Sequence, residues 1–166
     1  MIDAAKVRFL ESNLASEVPH SGQDLLQHLI GTASLLTAWG CDQETVDGGL
    51  YHSVYGTETF HASLIALDRR KTITRVIGER AERLAYLFCV MVKKSLDNNL
   101  DARCDYVLVS RLDGARIPIV EQDFESLCHI SLANWPEQRE GAMALARMVR
   151  LRAIQLMTRL FRDCLV

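Results

Sequence analysis

The chain has 166 residues, 49% hydrophobic and 24% charged, which suits a single domain with its own core and excludes a disordered or fibrous protein. Its formal net charge of −2 offers no basic field for phosphate backbones, so no nucleic-acid partner is expected. The five cysteines are odd in number and contain no CxxC pair; this argues against a disulfide framework or a structural zinc knot and for reduced thiols in the cytoplasm.

The first stretch, MIDAAKVRFLESN, carries charges throughout and lacks the apolar run of a signal peptide. Ala4, Val7, Leu10 and Leu14 recur at helical spacing, predicting a first helix over 3–16 that ends before Pro19. His20-Ser21-Gly22 reads as a turn and cap. Beyond it Leu25, Leu29, Thr32, Leu35, Leu36 and Trp39 share an arc, which predicts a second helix over about 22–39. Gly40-Cys41-Asp42 stops that helix and caps a third over about 43–54.

Gly56-Thr57 breaks the third helix, and Glu58 to Leu67 reads as one or two loose turns. Arg70 to Leu96 is a long helical stretch, one helix or a pair, with a possible interruption at Gly78. Its apolar run LAYLFCVMV has nine residues, far short of the roughly 20 that span a bilayer, and no membrane partner is expected. After the polar loop Asp97-Asn98-Asn99, the alternation in YVLVSRLDGARIPIV predicts a β-hairpin over 106–120 turning on Asp113-Gly114. Helical spacing returns over 122–134, Pro136 interrupts, and Glu137 to Cys164 is expected to form an amphipathic terminal helix that suits a homodimer as readily as a monomer. The fold class is therefore mainly α, a helical bundle with one small hairpin.

His28 lies in angle between Leu25 and Leu35, so its imidazole points with the apolar face into the interior. Gly48 and Gly49 lie within a turn of His52 and allow a helix or a ligand to approach it closely. A short connection makes the two helices neighbours. Imidazoles on facing helices bind divalent metals, although a buried histidine also serves as a hydrogen-bonded core residue.

The segments PHSGQDLLQHLIGTASLLTAWG and GLYHSVYGTETF, followed in order by IGERAERLAYLFC and LANWPEQ, resemble a family of the HD-domain-like superfamily across residues 18–140. That resemblance implies an HD-like helical fold and a small-molecule enzyme, in most such proteins a metal-dependent phosphohydrolase and in one branch an iron-dependent oxygenase. It implies His28 and His52 as metal ligands, with Fe, Mn or Zn as the divalent cofactor. Ser53 stands where the resemblance expects the Asp of the His-Asp pair, and a neutral hydroxyl supplies no anionic oxygen to a cation.

Other groups must complete such a site. His20, in the turn before the second helix, suits a ligand, a general base or a substrate contact. Glu58 either supplies the missing carboxylate or caps the next turn; His61 is a weaker alternative. Glu79 pairs with Arg83 or Arg75 on the helix surface, or else Glu79 or Glu82 turns inward as ligand or base, and Arg80 suits an anionic substrate group. Tyr55 and Tyr51 either line the pocket or pack. Asn134 falls where the resemblance implies the final Asp ligand; just beyond it Glu137 is a candidate for ligand or cap and Gln138 for cap. No Walker loop, GxGxxG or GxSxG is present. The expectation is metal-assisted hydrolysis of a phosphoester or related bond, with an iron-dependent oxygenase or lyase and a non-catalytic ligand-binding module as alternatives.

Overall fold

Asp3 accepts a bond from the Ala5 amide at 2.8 Å and Asp42 one from the Thr45 amide at 2.7 Å, so two helices begin where an aspartate satisfies a free N–H of the first turn. In the computed structural model, residues 2–13, 19–20, 23–102 and 104–134 are described, with the side chains of residues 19–20 and 23–24 excepted. The terminal helix expected over 137–164, together with Glu137 and Gln138, lies outside them.

The described residues are mainly helical, with seven α-helices: α1 Ala4–Ser12, α2 Leu25–Ala38, α3 Gln43–Leu50, α4 Arg70–Ile77, α5 Glu79–Val90, α6 Lys93–Asp97 and α7 Glu121–Ala133. A two-residue pair, β1 Pro19–His20 and β2 Gln23–Asp24, precedes α2. The expected hairpin is present as β3 Val107–Val109 and β4 Arg116–Pro118, antiparallel, with Leu108 opposite Ile117. No helix among the described residues is long and apolar enough to cross a membrane.

Several boundaries differ from the sequence expectation: α1 ends at Ser12 rather than at 16, and α2 begins at Leu25, behind β2, rather than at about 22. The third helix ends at Leu50, because the Tyr51 amide is shared between the Asp47 and Gly48 carbonyls and the His52 amide reaches only Gly49 O. His52 therefore sits in the turn beyond the helix. The stretch 70–96 is three helices: Gly78 adopts φ +87°, which an L side chain resists, and Met91 turns extended at φ −71°, ψ 145°. Met91 then bridges to Ser110, while Val92 N bonds Val109 O and Arg111 N bonds Val90 O, both at 2.8 Å. That ties the hairpin to the end of α5. Glu58 to Ala66 forms no helix; a single 3-10 turn follows at Leu67–Arg69.

α3 is the centre of the packing, lying against α2 on one side and α5 on the other, with α7 across both α2 and α3. Gly48 and Gly49 make this possible. A Cβ at Gly48 would stand 3.0 Å from Leu84 Cβ and 3.2 Å from Ala81 O of α5, and one at Gly49 only 2.2 Å from Leu36 Cδ1 of α2. Leu36, Leu84, Leu25, Leu29 and Leu50 are completely buried around this crossing, each worth about 1.5–3 kcal/mol of apolar burial.

Candidate functional site

α2 turns His28 into the core as its apolar spacing requires, and the turn after α3 brings His52 to meet it. Both side chains are fully buried. Their Nε2 atoms stand 3.2 Å apart with the rings edge to face. At the C-terminus of α7, Asn134 places its Oδ1 3.0 Å from His52 Nε2 and is itself buried. Residues 82 positions apart thus converge with His28 on one point.

The protons constrain this arrangement. His52 Nδ1 lies 2.6 Å from Gly49 O, and a carbonyl only accepts, so Nδ1 carries the hydrogen and Nε2 of the neutral ring offers a lone pair. That lone pair faces His28 Nε2 and Asn134 Oδ1. His28 can donate into it, but Oδ1 then meets it acceptor to acceptor. Protons alone resolve this contact by turning the Asn134 amide or by charging His52 in the core. A cation held by the two nitrogens and the amide oxygen would remove that clash, and the bond from His52 Nδ1–H to a carbonyl is of the kind that metal-binding imidazoles make.

His52 is held from two further directions. The ring edge meets Phe88 at 5.0 Å and 83°, and Cys89 Sγ donates to His52 O at 3.0 Å. Burial pushes the Cys89 thiol up to about 12, so it stays protonated as a donor and is no nucleophile.

The donors suit a divalent metal in type, and the two nitrogens also in spacing. With metal–nitrogen bonds of about 2.1 Å, nitrogens 3.2 Å apart subtend about 100° at the ion, and an amide oxygen is an accepted hard ligand. All three donors are neutral, however. Among the described residues no three His, Cys, Asp or Glu side chains come together; the buried carboxylates pair elsewhere, Asp47 with Lys6, Glu82 with Arg70 and Asp123 with Arg80 and Arg83. Ser53 is buried beside His52 and adds no charge.

The other sequence candidates are placed apart from this point or given other partners. Tyr55 donates to Glu82 Oε1 at 2.9 Å; Glu82 in turn takes two bonds from Arg70, at 2.6 and 2.7 Å, and Arg70 stacks over Tyr86 at 3.6 Å. Arg80 joins α3, α5 and α7 by reaching Asp42, Glu44, Ser126 and Asp123. Arg83 goes to Asp123 at 3.0 Å rather than to Glu79, which is exposed at the start of α5. Glu58 accepts from Lys93 N at 2.8 Å and caps α6. His61 is exposed, and Tyr51 donates to Lys6 O at 2.8 Å, docking α1. The backbone of His20 lies in β1, whereas its side chain lies outside the described structure. Gly49 O and Phe88 escaped the sequence reading, the first because a carbonyl has no residue signature and the second because it sits inside an unbroken apolar run.

No curated protein and no solved structure matches the chain. One family model does, over residues 9–93, half of the chain, from within α1 to the first residue of α6, taking in His28, His52, Phe88 and Cys89. On that match the protein belongs to the family described as Domain of unknown function (DUF6817).

Proposed function

We propose that the chain is a cytoplasmic, HD-like small-molecule enzyme in which His28, His52 and Asn134 hold a divalent metal that assists hydrolysis of a phosphoester or related bond. One observation carries the reading: two imidazole Nε2 atoms stand 3.2 Å apart with an amide oxygen 3.0 Å from one of them, all buried. A bound divalent ion supplies Lewis acidity and lowers the pKa of water.

The chain's own groups orient and select. Gly49 O fixes the His52 tautomer, and Phe88 and Cys89 fix the ring and its backbone. Because the three donors are neutral, the site favours an anionic substrate, whose oxygens bring the charge that Ser53 withholds. His20, whose backbone lies in β1 ahead of α2, is the candidate general base. The free thiols of Cys41, Cys89, Cys104 and Cys128 support the cytoplasmic placement.

The test is metal analysis of freshly purified protein, with anaerobic titration of Zn2+, Mn2+ and Fe2+ and assay against phosphomonoesters and phosphodiesters. Binding near one ion per chain, lost in His28→Ala and His52→Ala, is the expected result. A wild-type protein that neither retains nor takes up any of the three metals overturns the reading and leaves a non-catalytic module.

A further inference from the structure

Where α7 begins, apolar surface is left uncovered among the described residues. Val120 is 63% exposed, more than any other large hydrophobic residue described. With Tyr106 and Ile119 it lines an open groove of about 490 Å3 between the loop before β3 and the first residue of α7. Asp105 and Glu121 line the same groove, and both are exposed. Among the described residues neither pairs with a basic side chain, whereas Asp47, Glu82 and Asp123 all do. Tyr106 stacks on Phe124 at 4.4 Å, and its hydroxyl is pushed up by burial and then by the charges of Glu121 and Glu125. The groove is therefore acidic as well as apolar.

The chain carries a segment of the opposite character. Residues 141–162 hold five arginines and no Asp or Glu. At helical spacing Arg147 and Arg150 fall in register with Met143, Ile154, Met157 and Phe161, so the sequence sets two cations within one apolar face. Such a face is matched only by an apolar surface that also offers carboxylates, because an arginine covered without a partner is costly. The connection is long enough. The described chain ends at Asn134, at the far end of α7 from the groove, and the 13 residues of α7 span about 20 Å. A helix returning along α7 from beyond Pro136 covers that distance in about 13 residues, which brings Arg150 level with Glu121.

We propose that the groove is the docking site of this chain's own residues 143–161, with Arg150 set against Glu121 and Asp105 and its apolar neighbours on Val120. The tether raises the local concentration of the segment at the groove and favours docking within one chain over docking between chains. The inference stands apart from the metal reading.

Zero-length carbodiimide coupling of the full-length Arg150→Lys variant, at low protein concentration and read by mass spectrometry of its peptides, tests it. The expected product is an amide between position 150 and Glu121 or Asp105 of the same chain, absent when Asp105→Asn and Glu121→Gln are added. A second measurement uses charge reversal. Arg150→Glu is expected to speed tryptic cleavage after Arg152 and Arg159 by about tenfold or more, and Glu121→Arg added to it is expected to reverse most of that gain. No coupling at position 150, or coupling to other carboxylates only, overturns the proposal. So does a cleavage rate unchanged by Arg150→Glu or not recovered by Glu121→Arg. Coupling only between chains also overturns it and assigns the groove to a second copy.

Discussion

His28 and His52 present their Nε2 atoms to one another at 3.2 Å, the first from the inner face of α2 and the second from the turn after α3. A carboxylate placed third at that point makes a far stronger site for a divalent cation than an amide does. Asn134→Asp puts one there without moving the chain, because Asn134 Oδ1 is already 3.0 Å from His52 Nε2. The expected outcome is Zn2+ affinity raised at least about tenfold, or about 1.4 kcal/mol, with a metal-free protein less stable by about 1–3 kcal/mol for burying the anion. Melting curves with and without Zn2+ measure both, and an unchanged Zn2+ affinity would remove Asn134 from the centre.

The crossing of α2, α3 and α5 sets a second expectation. Gly48→Ala presses a methyl onto Leu84 Cβ and the Ala81 carbonyl, neither of which can swing aside; Gly49→Ala displaces the buried Leu36 side chain. Each is expected to cost about 1–3 kcal/mol by overpacking, against a gain of up to about 1 kcal/mol in helix propensity. Urea denaturation should show both variants less stable than wild type. Stability equal to wild type in Gly48→Ala would mean that α5 sits further from α3.

The Glu82 network gives a third. Glu82 is 4% exposed and Arg70 35%, so the two halves of the pair are unequal. Arg70→Met leaves a buried carboxylate with only the Tyr55 hydroxyl and is expected to cost on the order of 3–5 kcal/mol. The double variant Arg70→Met with Glu82→Gln is expected to recover much of this. A double variant as unstable as the single one would place the loss in the stacking of Arg70 on Tyr86 instead.

These residues also mark where the sequence was readable. The caps at Asp42 and Gly40, the arc from Leu25 to Trp39 and the Asp113-Gly114 turn are local signals, and the elements they announce are present. The meeting of His28 and His52 was legible because a short connection forces α2 and α3 together. The partners of Arg80 and Arg83 were not: they lie 36 to 46 residues away, and helical spacing points instead to Glu79, which Arg83 ignores. Asn134 was reached through resemblance alone, since nothing local links it to a histidine 82 residues distant. Glu58 was open between ligand and cap, and only the position of Lys93 N decides it.

Alkaline pH gives the fourth expectation. Burial, with Glu125 adding, pushes the Cys128 thiol up to about 12 from an ordinary 9.0. Between these values the unfolded chain has lost the thiol proton and the folded chain has kept it. The unfolded state then binds fewer protons, so stability falls as pH rises through this window. Relative to Cys128→Ala, the wild type is expected to lose up to about 4 kcal/mol more on going from pH 9 to 12, seen as a steeper decline in denaturation midpoint. Cys89, pushed up in the same way, is present in both proteins and cancels from the comparison. Parallel declines would show that Cys128 has access to water.

Phe88 and Cys89 are consecutive on α5, a quarter turn apart, and both touch His52, one at its ring and the other at its carbonyl. Two contacts at that angle register rotation of the helix as well as sliding along its axis. The other end of α5 is clasped by Arg80 to α3 and α7, and its C-terminus carries the hairpin. One helix thus joins the arginine clasp and the hairpin to the two contacts that fix His52, so ring and carbonyl are held by a single element rather than by two.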